Sequence, residues 1–75
     1  MKKSNKFSER LRMLMALRNV SQKQLADYLN VSQPTVNRWM RGVNEPCLRV
    51  LYDICVRFNT TPNYILGYEE FLKNK

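Results

Sequence analysis

The sequence predicts an all-α domain of five short helices within 75 residues. Three observations predict it. Apolar residues recur at spacings of three and four, the helical period, rather than two. Ser, Thr, Asn, Pro and Gly stand where helices begin and end. Residues 21–42, SQKQLADYLNVSQPTVNRWMRG, read as two helices joined by a tight turn. No convincing strand, internal repeat or low-complexity segment interrupts the pattern.

The first helix is placed at about Lys6 to Arg18, with Asn5 as a candidate cap. Phe7, Leu11 and Leu14 mark its buried face, with Arg18 at the exit. Asn19 ends the helix and Val20 bridges to the next. Ser21 is a good N-cap for a second helix over about 22–29, whose Leu25, Ala26 and Leu29 share one face. Asn30 stands at the turn, because Asn tolerates the left-handed conformation better than most residues. Val31 plugs that turn. Ser32 caps a third helix over 33–41, with Pro34 in its first turn, where a missing N–H costs little. Val36, Trp39 and Met40 face inward, and Gly42 closes the helix. The spacing of Trp39 from Val36 makes it a core residue rather than a stacking platform. Val43 to Glu45 form a loop, and Pro46 sets up a fourth helix over about Cys47 to Phe58. Its predicted buried side is Leu48, Leu51, Ile54, Cys55 and Phe58. Thr61 caps a fifth helix beginning at Pro62. Ile65 and Leu66 pack inward, and Gly67 terminates it. The chain therefore divides into a basic, mobile arm (1–5), one helical domain (6–67) and a short tail (68–75) carrying Tyr68, Phe71 and Leu72.

Composition narrows the function. Thirteen Lys and Arg oppose six Asp and Glu, a net charge of +7. That balance favours a polyanionic partner or simply a solvated surface. The excess is concentrated early: Lys2, Lys3, Lys6, Arg10, Arg12 and Arg18 precede residue 21, against Glu9 alone. Such arms can reach into a groove of DNA. No apolar run approaches the ~20 residues of a membrane span, and the basic N-terminus lacks the apolar stretch of a signal peptide. Cys47 and Cys55, eight residues apart, would lie ~12 Å apart along one helix, too far for a disulfide. They read as small buried or half-buried thiols, which fits a reducing cytoplasm. The sequence has no His, so ordinary Cys/His zinc sites are excluded. With no paired carboxylates at a pocket and no Gly-rich phosphate loop, neither an enzyme nor a cofactor is expected.

The two-helix motif points to double-stranded DNA. With Val36, Trp39 and Met40 inward, Gln33, Pro34, Thr35, Asn37, Arg38 and Arg41 remain outside. Their amides and guanidinium groups suit base edges and phosphates, and no carboxylate repels them.

These residues resemble the lambda-repressor/Cro-like helix-turn-helix family, also called the xenobiotic-response-element (XRE) family. The likeness runs from about residue 7 to 67. RLRMLMALRNVSQ is similar to the family's first helix running into its second, and NEPCLRVLYDICVRFNTTPNYILG to its fourth and fifth. Ala26 matches the position where the motif helices cross closely. Gln22 and Gln33 match positions that touch phosphate and base. The resemblance implies a five-helix DNA-binding domain, with the motif at helices two and three.

Four residues are assigned to base readout. Gln33 has the paired donor and acceptor that adenine requires. Pro34 either meets a thymine methyl or shapes the turn. Asn37 and Arg38 lie one turn along, and Arg38 suits guanine or a phosphate equally. Four are assigned to phosphate. Gln22 begins a helix whose free N–H groups and positive dipole end suit an anion. Thr35 offers a hydroxyl, although a partly buried helix residue would look the same. Arg41 and Asn44 flank the exit of the third helix, where the family places backbone contacts. Glu45 departs from the family's basic or polar loop.

Two departures coincide. Many members carry Arg at the position of Met15 and Glu at that of Met40, a buried ion pair. Replacing both by apolar groups is often neutral or stabilising, so the paired change suits the same fold. Met13 and Leu17 stand where the family is polar, either as a partner patch or as scattered surface hydrophobes. The expected function is a sequence-specific, repressor-like transcriptional regulator. It would act as a homodimer on a palindromic operator, joined near the fifth helix and tail. The alternative is a protein-interaction module of the same fold, such as an antitoxin or assembly adaptor.

Overall fold

The computed structural model describes residues 6–68. Five helices follow in order: α1 (Phe7–Arg18), α2 (Gln22–Leu29), α3 (Gln33–Met40), α4 (Leu48–Phe58) and α5 (Pro62–Leu66). No strand occurs among the described residues. The proposed arm (1–5), the Asn5 cap, and Phe71 and Leu72 of the tail lie outside them. At the start of α1, Lys6 holds the cap position without a side-chain cap bond.

One device ends the first four helices. A residue in the left-handed region turns the chain, and the next residue's N–H reaches back to a carbonyl of the last turn. Val20 N–H donates to Met15 (2.9 Å), Val31 to Ala26 (3.0 Å), Val43 to Arg38 (3.0 Å) and Thr60 to Cys55 (2.9 Å). The turning residues are Asn19, Asn30, Gly42 and Asn59, with φ of 57°, 60°, 75° and 54°. Gly67, at φ 74°, ends α5. Val20 is then buried and Val31 half-buried against the core, so two of these stops also anchor an apolar side chain. The left-handed Asn59 was not anticipated.

The core draws on every helix: Phe7, Leu11, Leu14 and Met15 from α1, Leu25 and Ala26 from α2, Val36 and Trp39 from α3. Leu51, Ile54, Cys55 and Phe58 of α4 and Ile65 of α5 complete it. Phe7, Leu11, Leu25, Val36, Ile54, Phe58 and Ile65 are essentially inaccessible. At about 1.5–3 kcal/mol for each fully buried large apolar side chain, they dominate the favourable side of folding. α1 packs on α3 and α5, α2 on α3 and α4, and α4 on α5. The motif helices are thus braced from both sides.

Two details depart from the expected pattern. The third helix ends at Met40, one residue early, because Arg41 occupies its C-cap. Leu48 was expected inside but is 83% exposed. As the first residue of α4, it precedes the turns that meet the core, and Val50 is half-buried against the core instead.

Candidate nucleic-acid interface

Each of the two motif helices is fixed at its start by a side-chain cap. Ser21 Oγ accepts from Gln24 N–H (3.0 Å), and Gln24 Oε1 accepts from Ser21 N–H (2.9 Å). This reciprocal pair satisfies two N–H groups left free by the helix start. At α3, Ser32 Oγ accepts from Thr35 N–H at 3.2 Å. Ala26, which the resemblance matches to the close crossing of the motif helices, is 3% exposed in the core. A larger side chain there would overpack the core. Val36 and Trp39 hold the inner face of α3 in the core.

The outer face carries the predicted residues. Gln33 and Pro34 are exposed at the start of α3, and Arg41 and Asn44 are exposed at its exit. Thr35, Asn37 and Arg38 are half-buried between them, and Gln22 is half-buried at the first position of α2. From Ser32 to Asn44 no residue is acidic. Gln22 and Gln33 make no side-chain hydrogen bond within the described residues, so their amides remain available.

The other polar groups of α3 are tied to one another. The Ser32 and Thr35 hydroxyls are 2.7 Å apart, and the Arg38 guanidinium donates to Thr35 Oγ1 at 3.3 Å. Arg41 Nε donates to Asn37 Oδ1 at 2.9 Å. Sequence placed these residues on one face but did not link them.

Several basic residues have partners within the fold. Arg10 donates to the Tyr64 carbonyl (2.6 Å) and lies 4.5 Å from the Tyr64 ring centroid. Arg12 donates to the Met40 carbonyl. Both guanidiniums thus meet the negative end of a helix, where cations are favoured. Lys23 pairs with Asp27 at 3.2 Å, and Arg57 lies over the Tyr28 and Phe58 rings. Arg10 and Arg12, counted in the early basic excess, thus have specific partners within the fold. Their position on α1 aims them at the ends of α5 and α3, which no local pattern reveals.

Met15 is 4% exposed, while Met40 is half-buried against the core. Both positions of the family's ion pair are therefore apolar and packed. Cys55 is a buried thiol as expected, whereas Cys47, expected to be at least half-buried, is exposed because it stands at the N-cap of α4, ahead of the turns that meet the core. Burial pushes the Cys55 thiol above its ordinary range. No helix among the described residues is long and apolar enough to cross a membrane.

Known proteins share this arrangement. A helix-turn-helix family model matches residues 11–65. The chain is 33% identical over 66 residues to the HTH-type transcriptional activator BcrR of Enterococcus faecalis. That match covers 88% of this chain and 32% of the relative, so the chain spans about a third of the relative's length. A transcriptional regulator from Listeria innocua, solved by crystallography, superposes with a TM-score of 0.83 at 27% identity. The superposition covers 88% of this chain and 62% of that one. With the family model matching most of the chain and the five-helix fold shared with a solved regulator, this chain belongs to the lambda-repressor/Cro-like (XRE-type) helix-turn-helix family.

Proposed function

We propose that the chain binds double-stranded DNA and regulates transcription, with α3 and its Ser32 cap seated in the major groove. One observation carries this reading. The outward face of α3 combines an uncommitted amide at Gln33 with cations at Arg38 and Arg41, and it holds no carboxylate. Gln33 and Arg38 read base edges, and Pro34 lies against them at the helix start. Gln22, Arg41 and Asn44 take phosphates at helix ends. Each such contact adds affinity without sequence information. The family match and the two regulators named above support the same class.

One short helix reads few bases, so specificity calls for two copies on half-sites about 34 Å apart. We assign a homodimer on a palindromic operator, with repression following where the operator overlaps a promoter. Tyr64 and Tyr68, 38% and 48% exposed, leave an aromatic surface at α5 for this contact. Selection from randomised duplexes tests the whole reading. An enriched palindrome supports it, a single half-site removes the dimer, and no enrichment shifts the fold to a protein-interaction role.

A further inference from the structure

We propose that Asn37 is a positioning residue that holds Arg41 against a DNA phosphate, and that it does not itself read a base. The proposal rests on the DNA-binding reading above. Asn37 reads adenine only with both ends of its amide, accepting from N6 and donating to N7. Its acceptor is already engaged: Oδ1 takes the Arg41 Nε proton at 2.9 Å, which occupies one of its two lone pairs and turns the oxygen toward Arg41. A bidentate contact with adenine would have to compete with this bond for the orientation of the amide. The same bond leaves the two terminal nitrogens of Arg41 as an open fork, the geometry that grips a phosphate bidentately.

The placement gives this bond a purpose. Arg41 is the C-cap of α3, followed at once by Gly42 at φ 75°. It is exposed, and its side chain would otherwise sample many rotamers and lose that freedom on binding. The α3 C-terminus is also the negative end of the helix, where phosphate is repelled unless a cation is presented. Asn37, half-buried one turn earlier, is the fixed point from which Arg41 is aimed.

A double-mutant cycle tests it, with Asn37→Ala, Arg41→Ala and the pair measured on selected and scrambled duplexes across a salt series. Asn37→Ala is expected to weaken both duplexes alike by roughly three- to ten-fold, the cost of one unordered long side chain. It should leave the salt slope unchanged, because Arg41 still reaches the phosphate. Arg41→Ala should lower the slope by about one ion. In the Arg41→Ala background, Asn37→Ala should add little. Additive losses, or an Asn37→Ala variant that selects a different consensus, overturn the positioning role while DNA binding stands. If the wild type binds no duplex selectively, the functional reading and this role fall together. Melting curves for each variant separate loss of fold from loss of grip.

Discussion

The Arg12 guanidinium donates to the main-chain carbonyl of Met40, the last residue of α3. A residue of the first helix thus caps the end of the helix proposed to enter the groove. The bond satisfies a carbonyl that has no partner within its own helix, and it puts a cation on the negative end of the dipole. Arg12 is exposed, so solvent screens much of the attraction. Arg12→Ala should cost about 0.5–1 kcal/mol. Amide exchange in the last turn of α3 should accelerate more than exchange in α2. A uniform change across both helices would mean that the bond does not tether α3.

Met15 stands on α1 at the position where the family resemblance implies one half of a buried ion pair. It is buried, and Met40 is half-buried against the same core. Met15→Arg alone buries a charge without its partner and should destabilise by about 3–5 kcal/mol. Adding Met40→Glu should recover much of that loss, while Met15→Leu should cost under about 1.5 kcal/mol. Urea unfolding measures all three. If Met15→Arg melts like the wild type, the side chain escapes to water and the two positions are not coupled.

Gly42 and Gly67 both turn the chain at positive φ, 75° and 74°. Alanine at either position should cost about 1–2 kcal/mol in backbone conformation. Their surroundings differ. A Cβ at Gly42 meets Ser8 Oγ at 3.4 Å, ordinary contact, whereas one at Gly67 comes within 2.8 Å of Lys6 Cγ. Gly67→Ala should therefore lose at least as much stability as Gly42→Ala. Asn at residue 42 should be milder than Ala there, as Asn19, Asn30 and Asn59 already occupy the same conformation. Thermal melts that rank Gly42→Asn below Gly42→Ala would refute the conformational account.

Cys55 is buried and its thiol is pushed above the ordinary range by desolvation, while Cys47 is exposed. The thiolate is the reactive form. Native protein should take up one alkyl group quickly, at Cys47, and a second only after unfolding. The shift also has a sign for stability. In the unfolded chain Cys55 ionises at its ordinary value, and in the fold it holds its proton to higher pH. Its contribution is full below the ordinary thiol value and falls as pH rises above it. Cys55→Ala should flatten the stability curve in that alkaline window relative to wild type. Equal slopes for both proteins would contradict the assignment.

Local chemistry made most of the fold legible. Ser21, Ser32 and Thr61 are caps because their hydroxyls reach an N–H three residues on, a relation contained in sequence spacing. Asn30 and Gly42 mark stops because few residues tolerate positive φ. Leu48 misled because apolar periodicity does not say where along a helix the core begins. The roles of Arg10 and Arg12 were hidden for another reason. Their partners, Tyr64 and Met40, lie 54 and 28 residues away, and both are main-chain carbonyls without a side-chain signature. The Asn37–Arg41 bond lay at a readable i, i+4 spacing, but the same spacing also fits two independent DNA contacts.

Gln33 and Arg41 stand at opposite ends of the outward face of α3, and they should fail differently. Gln33 is exposed with an uncommitted amide, able to give and accept a hydrogen bond at one base. Gln33→Ala should therefore cost roughly 1–3 kcal/mol on the selected duplex and little on scrambled DNA. Its salt slope should stay near that of the wild type, since no charge is removed. Arg41→Ala should weaken both duplexes together and reduce the slope by about one ion. Arg38 falls between these limits, because the Thr35 bond holds its guanidinium at the middle of the face. Arg38→Ala should lose selectivity if it reads guanine and only affinity if it grips a phosphate. Titrations of the three variants on both duplexes, at four or more salt concentrations, separate these outcomes. Equal weakening of both duplexes by Gln33→Ala would move base readout away from the start of α3, even with DNA binding intact.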